Sequence, residues 1–235
     1  MVNINEFCDR LINDFSAYFR QRGGLDLQSG NYMLSQSRDS CKAILKTCLD
    51  VEPDYVLEIG TYYGLSTLSI AYALRLLGKD LSCFTTTDID HRHWVEETPT
   101  IQLGLLLNSE LDMKRIRTVQ EDFIKLSPQG LVKPGKVLVF YDIHDTASVS
   151  YMEKFIAEWM PLFDHGYVMI HDCYPPLGAY WIPRDDPVYP VSSATHFSGL
   201  KFEGYRECKI IIDYLNSTKR GVYAVPDTSI IKFSI

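Results

Sequence analysis

Tyr55-Val-Leu-Glu-Ile-Gly-Thr-Tyr-Tyr-Gly64 is the stretch that decides the fold of this 235-residue chain. A short apolar run ends at Gly60, and a helical pattern begins directly afterwards and covers residues 65–77. This order predicts a strand, a tight turn and a helix, in which Gly60 lets the backbone turn sharply beside a ligand.

The rest of the chain repeats the alternation. Short apolar or β-branched runs follow at residues 81–88, 116–119, 136–142 and 167–172, and helical stretches separate them, most clearly at 149–163. Strands that alternate with helices predict an α/β fold, with a parallel sheet covered by helices on both faces. Helical patterns also occupy residues 5–20, 37–49 and 202–215, and two strands at 221–225 and 229–235 are expected to close the chain as a hairpin.

Carboxylates stand at or just beyond the ends of the predicted strands: Glu58, Asp88, Asp122, Asp142 and Asp172. Parallel sheets of this kind bind ligands beyond the carboxyl ends of their strands. We therefore expect an acidic rim around a ligand site at that edge.

The glycine turn has the spacing ExGxxxG, from Glu58 through Gly60 to Gly64. A dinucleotide fingerprint would read GxGxxG, so the spacing disfavours NAD. Asp88, which ends the next predicted strand, is placed to accept hydrogen bonds from ribose hydroxyls.

The chain resembles the class I methyltransferases, and among them the small-molecule enzymes of the catechol O-methyltransferase-like and macrocin O-methyltransferase-like types. The segments VLEIGTYYGLST, FTTTDID, VFYDIHD and YVMIHDC carry the resemblance, and the closing helix and strands are similar to the family's antiparallel finish. The resemblance implies a Rossmann-like doubly wound sheet of about seven strands, mostly parallel with an antiparallel C-terminal strand. It also implies S-adenosylmethionine as the cofactor.

The resemblance further assigns cofactor contacts. Asp88 would hold the ribose, and Asp122 matches the position near the adenine. Plain packing and helix capping remain alternative roles for Tyr62 and Ser66. Around the methionine part of the cofactor the resemblance places Glu58, Gly60, Thr61, Tyr62, Gly64 and Ser66.

Several relatives use a divalent cation to orient substrate oxygens and to lower the pKa of the attacking hydroxyl. By resemblance, Asp142 and Asp172 occupy the metal-ligand positions, although Cys173 would be a poor ligand for magnesium. His171 together with the two aspartates would suit manganese, iron or zinc. In the alternative, Asp142 contacts the ammonium group of the cofactor and no metal is bound.

The catalytic base is a second open assignment. In the catechol-type enzymes a lysine follows the first metal aspartate by three residues, and here that residue is Asp145. His144 is the candidate base, acting beside Asp142, because an imidazole with an ordinary pKa near 6.5 accepts a proton at neutral pH. His196 is the second candidate.

A long segment rich in proline and aromatic residues, at about 173–200, is expected to be a lid-like insertion over the site. Its aromatic rings suggest an aromatic or flat acceptor, although rings that only anchor the loop would give the same composition. Arg184 and Lys201 suit an anionic group on the substrate, and equally an ordinary charged surface.

Composition narrows the classes of protein further. A formal net charge of -7 argues against nucleic-acid binding. Six cysteines without a CxxC pair are expected to be reduced and mostly buried, and the absence of a signal pattern or a membrane-length apolar run suggests a cytoplasmic protein. We expect one domain over residues 1–235 with an N-terminal helical extension at about 1–50, an element that would support a homodimer.

The sequence therefore predicts an S-adenosylmethionine-dependent enzyme that methylates a small molecule, with a hydroxyl oxygen as the favoured acceptor. Two other functions remain open. One is a nucleotide-dependent oxidoreductase on the same type of fold. The other is a non-catalytic protein that binds S-adenosylmethionine.

Overall fold

The computed structural model describes residues 3–21, 38–62, 64–89, 113–143 and 148–171, and towards the C-terminus residues 210–211, 213–215, 217–218, 220, 223–225, 228 and 230–235. The strands in these ranges are β1 (Tyr55–Ile59), β2 (Phe84–Asp88), β3 (Arg117–Gln120), β4 (Lys136–Tyr141), β5 (His165–Ile170), β6 (Tyr223–Ala224) and β7 (Ile231–Ser234). The α-helices are α1 (Ile4–Gln21), α2 (Arg38–Val51), α3 (Leu65–Leu76) and α4 (Ser148–Lys154), and residues 210–211, 213–215 and 217 are also helical.

The strands form one sheet in the order β3-β2-β1-β4-β5-β7-β6. The five strands from β3 to β5 run parallel to their neighbours, whereas β7 is antiparallel to both β5 and β6. This confirms the predicted α/β sheet, which is mostly parallel and closes with an antiparallel hairpin. Because β1 lies between β2 and β4, the chain reverses its direction of growth across the sheet at β1, and ligands bind at such a switch point.

The two faces of the sheet are covered by separate hydrophobic clusters. On one face Val56 of β1 and Phe140 of β4 pack with α1, α2 and α3. On the other face Leu57 and Ile59 pack with Phe155 and other residues that follow α4. All five residues of β1 are buried, as expected for a central parallel strand with helices on both sides.

Two predicted elements begin or continue differently from expectation. The segment predicted as a strand at 81–88 starts with a short 3₁₀ turn, Leu81–Cys83, because the Asp80 side chain accepts a hydrogen bond from Ser82 N at 2.8 Å. The helix predicted at 149–163 changes after α4 into a π-helical turn, Phe155–Trp159, and a 3₁₀ turn, Met160–Leu162. Pro161 lacks an N–H donor, so the α-helical ladder cannot continue there.

The N-terminal helix α1 packs onto the main fold. The ring of Phe7 stacks on Tyr72 of α3 with centroids 4.0 Å apart, and Cys8 and Leu11 are fully buried beside it. Cys8, Cys41 and Cys48 are buried free thiols, and Cys83 is half-buried. No helix in the described ranges is long and apolar enough to span a lipid bilayer. The predicted lid lies outside the described residues.

Candidate active site

The turn after β1 passes directly against the end of β4. Gly60 has a φ of +97°, and its N–H donates to the carbonyl oxygen of Thr87 at 2.8 Å. A Cβ atom on Gly60 would lie 2.1 Å from the carbonyl oxygen of Asp142. Only glycine meets both the left-handed backbone and this close approach. The requirement explains why the sequence has a glycine where the strand ends.

The tip of the same turn is tied to β2. Tyr62 has a positive φ of 44°, which is uncommon for a residue with a side chain. Its backbone N–H donates to the Asp88 Oδ2 atom at 2.7 Å. Asp88 therefore holds the conformation of the turn with one carboxylate oxygen, while its side chain lies at the sheet edge where a ribose was expected.

Glu58 lies fully buried beneath the turn. Its Oε2 atom accepts hydrogen bonds from the hydroxyls of Thr67 and Thr86, both at 2.6 Å. Burial raises the pKa of Glu58 to about 7, the hydroxyls of Ser66, Thr67 and Thr86 oppose that change, and the charge of Asp142 adds to it. The pKa of Glu58 therefore lies near neutral pH, and the charge of Asp142 contributes to it.

Asp142 and His171 form a buried pair at the ends of β4 and β5. The Nδ1 atom of His171 lies 3.1 Å from the Oδ1 atom of Asp142, and their side chains are 3% and 6% exposed. Both backbones continue the sheet ladder by one step, because Asp142 N donates to Ile59 O at 2.8 Å and His171 N donates to Tyr141 O at 3.0 Å.

A cavity of about 400 Å³ opens at this edge of the sheet. This volume is within the roughly 300–1,000 Å³ typical of small-molecule sites. The turn after β1 and the end of β2 contribute Gly60, Tyr62, Thr87, Asp88 and Ile89. The segments that follow β3 and β4 contribute Glu121, Phe123, Asp142 and Ile143, and α4 contributes Tyr151. The cavity therefore spans the strand ends from β3 to β4, across the switch point of the sheet.

The sequence matches the family model of the methyltransferase domain over residues 57–173, which is about half of the chain. That range contains the glycine turn, Asp88 and the Asp142–His171 pair, and the strand order and cavity position agree with it. The chain belongs to the class I methyltransferases. No curated protein matches the sequence significantly.

Solved structures of methyltransferases share the fold. Methyltransferase PaMTH1 of Podospora anserina, bound to SAH, is 15% identical with a TM-score of 0.59, covering 97% of this chain and 91% of that chain. O-Methyltransferase TomG of Streptomyces achromogenes, bound to SAM, is 14% identical with a TM-score of 0.58, covering 96% and 88%. An O-methyltransferase of Bacillus cereus, bound to SAH, is 10% identical with a TM-score of 0.60, covering 97% and 89%. At identities this low, the structural similarity shows that the fold is shared.

The structure of this methyltransferase separates the sequence-predicted contact residues into two groups. Gly60, Tyr62, Asp88 and Asp142 line the cavity. Thr61 instead turns its buried hydroxyl towards Thr86 and the carbonyl of Thr87. Ser66 is buried in the first turn of α3, and Gly64 is the N-cap of that helix.

Asp122, which the resemblance assigned to the adenine, has a local structural contact. Its Oδ1 atom accepts a hydrogen bond from Ile124 N at 3.0 Å and so stabilises the turn after β3. Its neighbours Glu121 and Phe123 line the cavity, whereas Asp122 is not among the described lining residues. Beyond β3 the described lining of the cavity is therefore formed by the two neighbours of Asp122, and the assignment of Asp122 to the adenine stays a prediction.

Sequence reasoning missed the apolar wall of the cavity. Ile89, Phe123, Ile143 and Tyr151 line it, and the rings of Phe123 and Tyr151 meet edge to face with centroids 6.1 Å apart. Nothing in the sequence marked Tyr151 as a site residue, because it fits the apolar spacing of the predicted helix. Ile89 and Ile143 each follow a rim aspartate directly, and that position was the available clue.

Several predicted chemical groups of the methyltransferase lie outside the described residues: His144, Asp145, Asp172, Cys173, Arg184, His196 and Lys201. Within the described residues, no three or more His, Cys, Asp or Glu side chains are grouped so that they could hold a metal ion. Of the three predicted metal ligands, Asp142 and His171 are brought together, and they contact each other.

Proposed function

We propose that this methyltransferase transfers the methyl group of S-adenosylmethionine to a hydroxyl oxygen of a small molecule. The observation that carries the proposal is an acid-lined cavity at the switch point of a methyltransferase fold. Three carboxylates line it, those of Asp88, Glu121 and Asp142, and no Lys or Arg is among its described lining residues. This charge distribution favours a ligand with cationic groups, and S-adenosylmethionine carries a sulfonium and an ammonium.

The order of the strand ends suggests how the cofactor would lie. Phe123, beyond β3, offers a flat aromatic ring for adenine, and Ile89, beyond β2, offers apolar surface. Asp88 offers a carboxylate for the ribose hydroxyls. Gly60 and Asp142 border the other end, where the methionine part would contact the backbone and a carboxylate. The methyl group would then lie near β4.

The same charge distribution argues against the oxidoreductase alternative. A dinucleotide brings a pyrophosphate, which binds at glycine-rich turns through backbone N–H groups and a helix N-terminus. Here carboxylates line the cavity beside that turn, so a pyrophosphate would be repelled. NADH is therefore expected not to bind.

Oxygen acceptors are favoured because the structural neighbours of known type, from Streptomyces achromogenes and Bacillus cereus, are O-methyltransferases. In the transfer step the acceptor oxygen attacks the methyl carbon in line, the carbon–sulfur bond breaks with its electron pair left on sulfur, and the hydroxyl proton passes to a base. We propose His144 as that base, two residues after Asp142 on the segment that follows β4. Alignment of donor and acceptor would supply most of the rate acceleration.

Asp142 has two proposed uses, and its surroundings fit both. Its Oδ1 atom contacts His171, and as a hard oxygen ligand its carboxylate suits either an ammonium group or a divalent cation shared with Asp172. A cation there would lower the pKa of the acceptor hydroxyl. The proposal also includes an aromatic acceptor under the lid, a single domain with an N-terminal extension, and a homodimer formed through α1.

Calorimetric titration with S-adenosylmethionine, S-adenosylhomocysteine and NADH, each in EDTA and with added Mg²⁺ or Mn²⁺, tests the proposal. The proposal is supported if S-adenosylmethionine and S-adenosylhomocysteine bind and NADH does not. It is rejected if neither of the first two ligands binds under any condition. Transfer of a labelled methyl group to a panel of phenols and alcohols then distinguishes an enzyme from a non-catalytic cofactor-binding protein. His144→Gln is expected to reduce transfer while S-adenosylhomocysteine still binds.

A further inference from the structure

The side chain of His171 is in hydrogen-bond contact with a residue that lines the cavity. Its Nδ1 atom lies 3.1 Å from Asp142 Oδ1, and both side chains are almost fully buried. A carboxylate in such surroundings is stable only when hydrogen-bonded, and the ring supplies a donor. The contact therefore favours the orientation of the Asp142 side chain in which Oδ1 faces the ring.

The backbones of the two residues are held independently of that contact. Asp142 N donates to Ile59 O and His171 N donates to Tyr141 O, so the Cα atoms of both are placed by the sheet. What remains variable is the direction in which the Asp142 carboxylate points. The His171 ring also lies beside Phe140, with centroids 6.4 Å apart, and this packing limits the rotation of the imidazole.

The two residues differ in their access to the cavity. Asp142 lines it, whereas His171 is not among its described lining residues. Any effect of His171 on a bound ligand must then pass largely through Asp142. That relationship differs from the one expected of a metal ligand, which would bind through a ring nitrogen of its own.

We propose that His171 is a positioning residue: through Nδ1 it holds the Asp142 carboxylate in the orientation that receives the methionine end of the cofactor. The inference rests on the proposed function. It assigns the role to Nδ1, and it replaces the metal-ligand role that the sequence suggested for His171.

Two amide substitutions distinguish the nitrogens of the ring. The amide nitrogen of Asn can occupy the position of Nδ1, and that of Gln reaches towards the position of Nε2. His171→Asn, His171→Gln and His171→Leu are therefore compared by calorimetric titration with S-adenosylhomocysteine in EDTA. His165→Leu is the matched control, because His165 is exposed at the opposite end of the same strand. Thermal unfolding of each variant confirms that it is folded.

His171→Leu is expected to weaken binding about 10- to 100-fold, the range for losing a hydrogen bond to a buried charge. His171→Asn should restore most of the affinity, whereas His171→Gln should not. In an Asp142→Asn background, His171→Leu should have little further effect, because the two substitutions remove the same interaction.

Three results would each overturn the inference. They are restored binding in His171→Gln but not in His171→Asn, wild-type affinity in all three variants, and an undiminished effect of His171→Leu in the Asp142→Asn background. Should His171→Leu not fold, the comparison of Asn with Gln decides alone. The unsubstituted protein is titrated first. No binding by that protein rejects the proposed function and this inference together, whereas normal binding by every variant rejects the inference alone.

Discussion

Gly60 lies so close to Asp142 that a Cβ atom on it would be 2.1 Å from the Asp142 carbonyl oxygen. The approach exists because β1 and β4 are parallel neighbours and Ile59 pairs with Tyr141, which brings the next residue of each strand side by side. The turn that borders the cavity is thus built against the residue after β4, Asp142, whose carboxylate lines the same cavity. A side chain at position 60 would therefore overlap the Asp142 backbone.

Gly60→Ala is expected to destabilise the fold by about 3 kcal/mol or more, since a left-handed backbone and an atomic overlap both oppose it. Gly78→Ala is the matched control. Gly78 also has a positive φ, of 68°, but a Cβ there meets nothing within 4 Å, so only the backbone cost of about 1 kcal/mol applies. Urea unfolding of both variants measures the difference, and equal losses would contradict the proposed overlap.

Asp88→Ala should weaken binding of S-adenosylhomocysteine by about 10- to 100-fold, because it removes both the expected ribose contact and the acceptor for Tyr62 N–H. Calorimetry measures the change. Asp50→Ala, at an exposed position of α2, is the control and should bind as the unsubstituted protein does. Wild-type affinity in Asp88→Ala would remove Asp88 from the site.

Glu58 should make the stability of the cofactor-free protein depend on pH. Its pKa is raised from 4.5 to about 7 by burial, so between these values the folded state holds a proton that the unfolded chain releases. The contribution of Glu58 to the free energy of unfolding therefore falls as pH rises from about 4.5 to about 7, by on the order of 3 kcal/mol in total.

Glu58→Gln should abolish that part of the pH dependence, which urea unfolding from pH 4.5 to pH 8 would measure. Glu153→Gln, at an exposed position of α4, should retain it. A Glu58→Gln variant whose stability still declines over the same range would show that another group is responsible.

Asp142→Ala should reduce methyl transfer by at least about 100-fold, because the carboxylate lines the cavity at the end where the methyl group would lie. Affinity measured with and without EDTA separates the two proposed uses of Asp142. A loss of S-adenosylhomocysteine binding that is the same in EDTA indicates contact with the ammonium group. If binding is normal in EDTA but Mg²⁺ no longer raises transfer, Asp142 is a metal ligand.

Local pattern predicted the elements of the fold well. The ranges predicted at 55–60, 65–77 and 136–142 agree with β1, α3 and β4 to within about a residue at each end, because apolar runs and helical periodicity reflect burial directly. Residues 149–163 were predicted less accurately. The periodicity continues there while Pro161 interrupts the hydrogen bonding, and a pattern of apolar positions does not register a missing N–H.

The site was predicted in part. Gly60, Asp88 and Asp142 could be located because each stands where a predicted strand ends. The position of a residue at a strand end does not predict the direction in which its side chain points. Thr61 and Tyr62 are adjacent in the glycine turn, yet the Thr61 hydroxyl bonds inward to Thr86 while Tyr62 lines the cavity. That difference depends on the φ and ψ angles of a turn, which residue type constrains only weakly.

The sequence by itself determined the alternation of strands and helices, the glycine at the turn and the carboxylates at the strand ends, because these follow from local burial and backbone geometry. Tertiary structure alone decided that β4 lies beside β1 and β5 beside β4, and so that Asp142 meets both Gly60 and His171. The order of parallel strands depends on how each crossover helix packs against the sheet. Those packing contacts join residues far apart in the chain, and no local pattern encodes them.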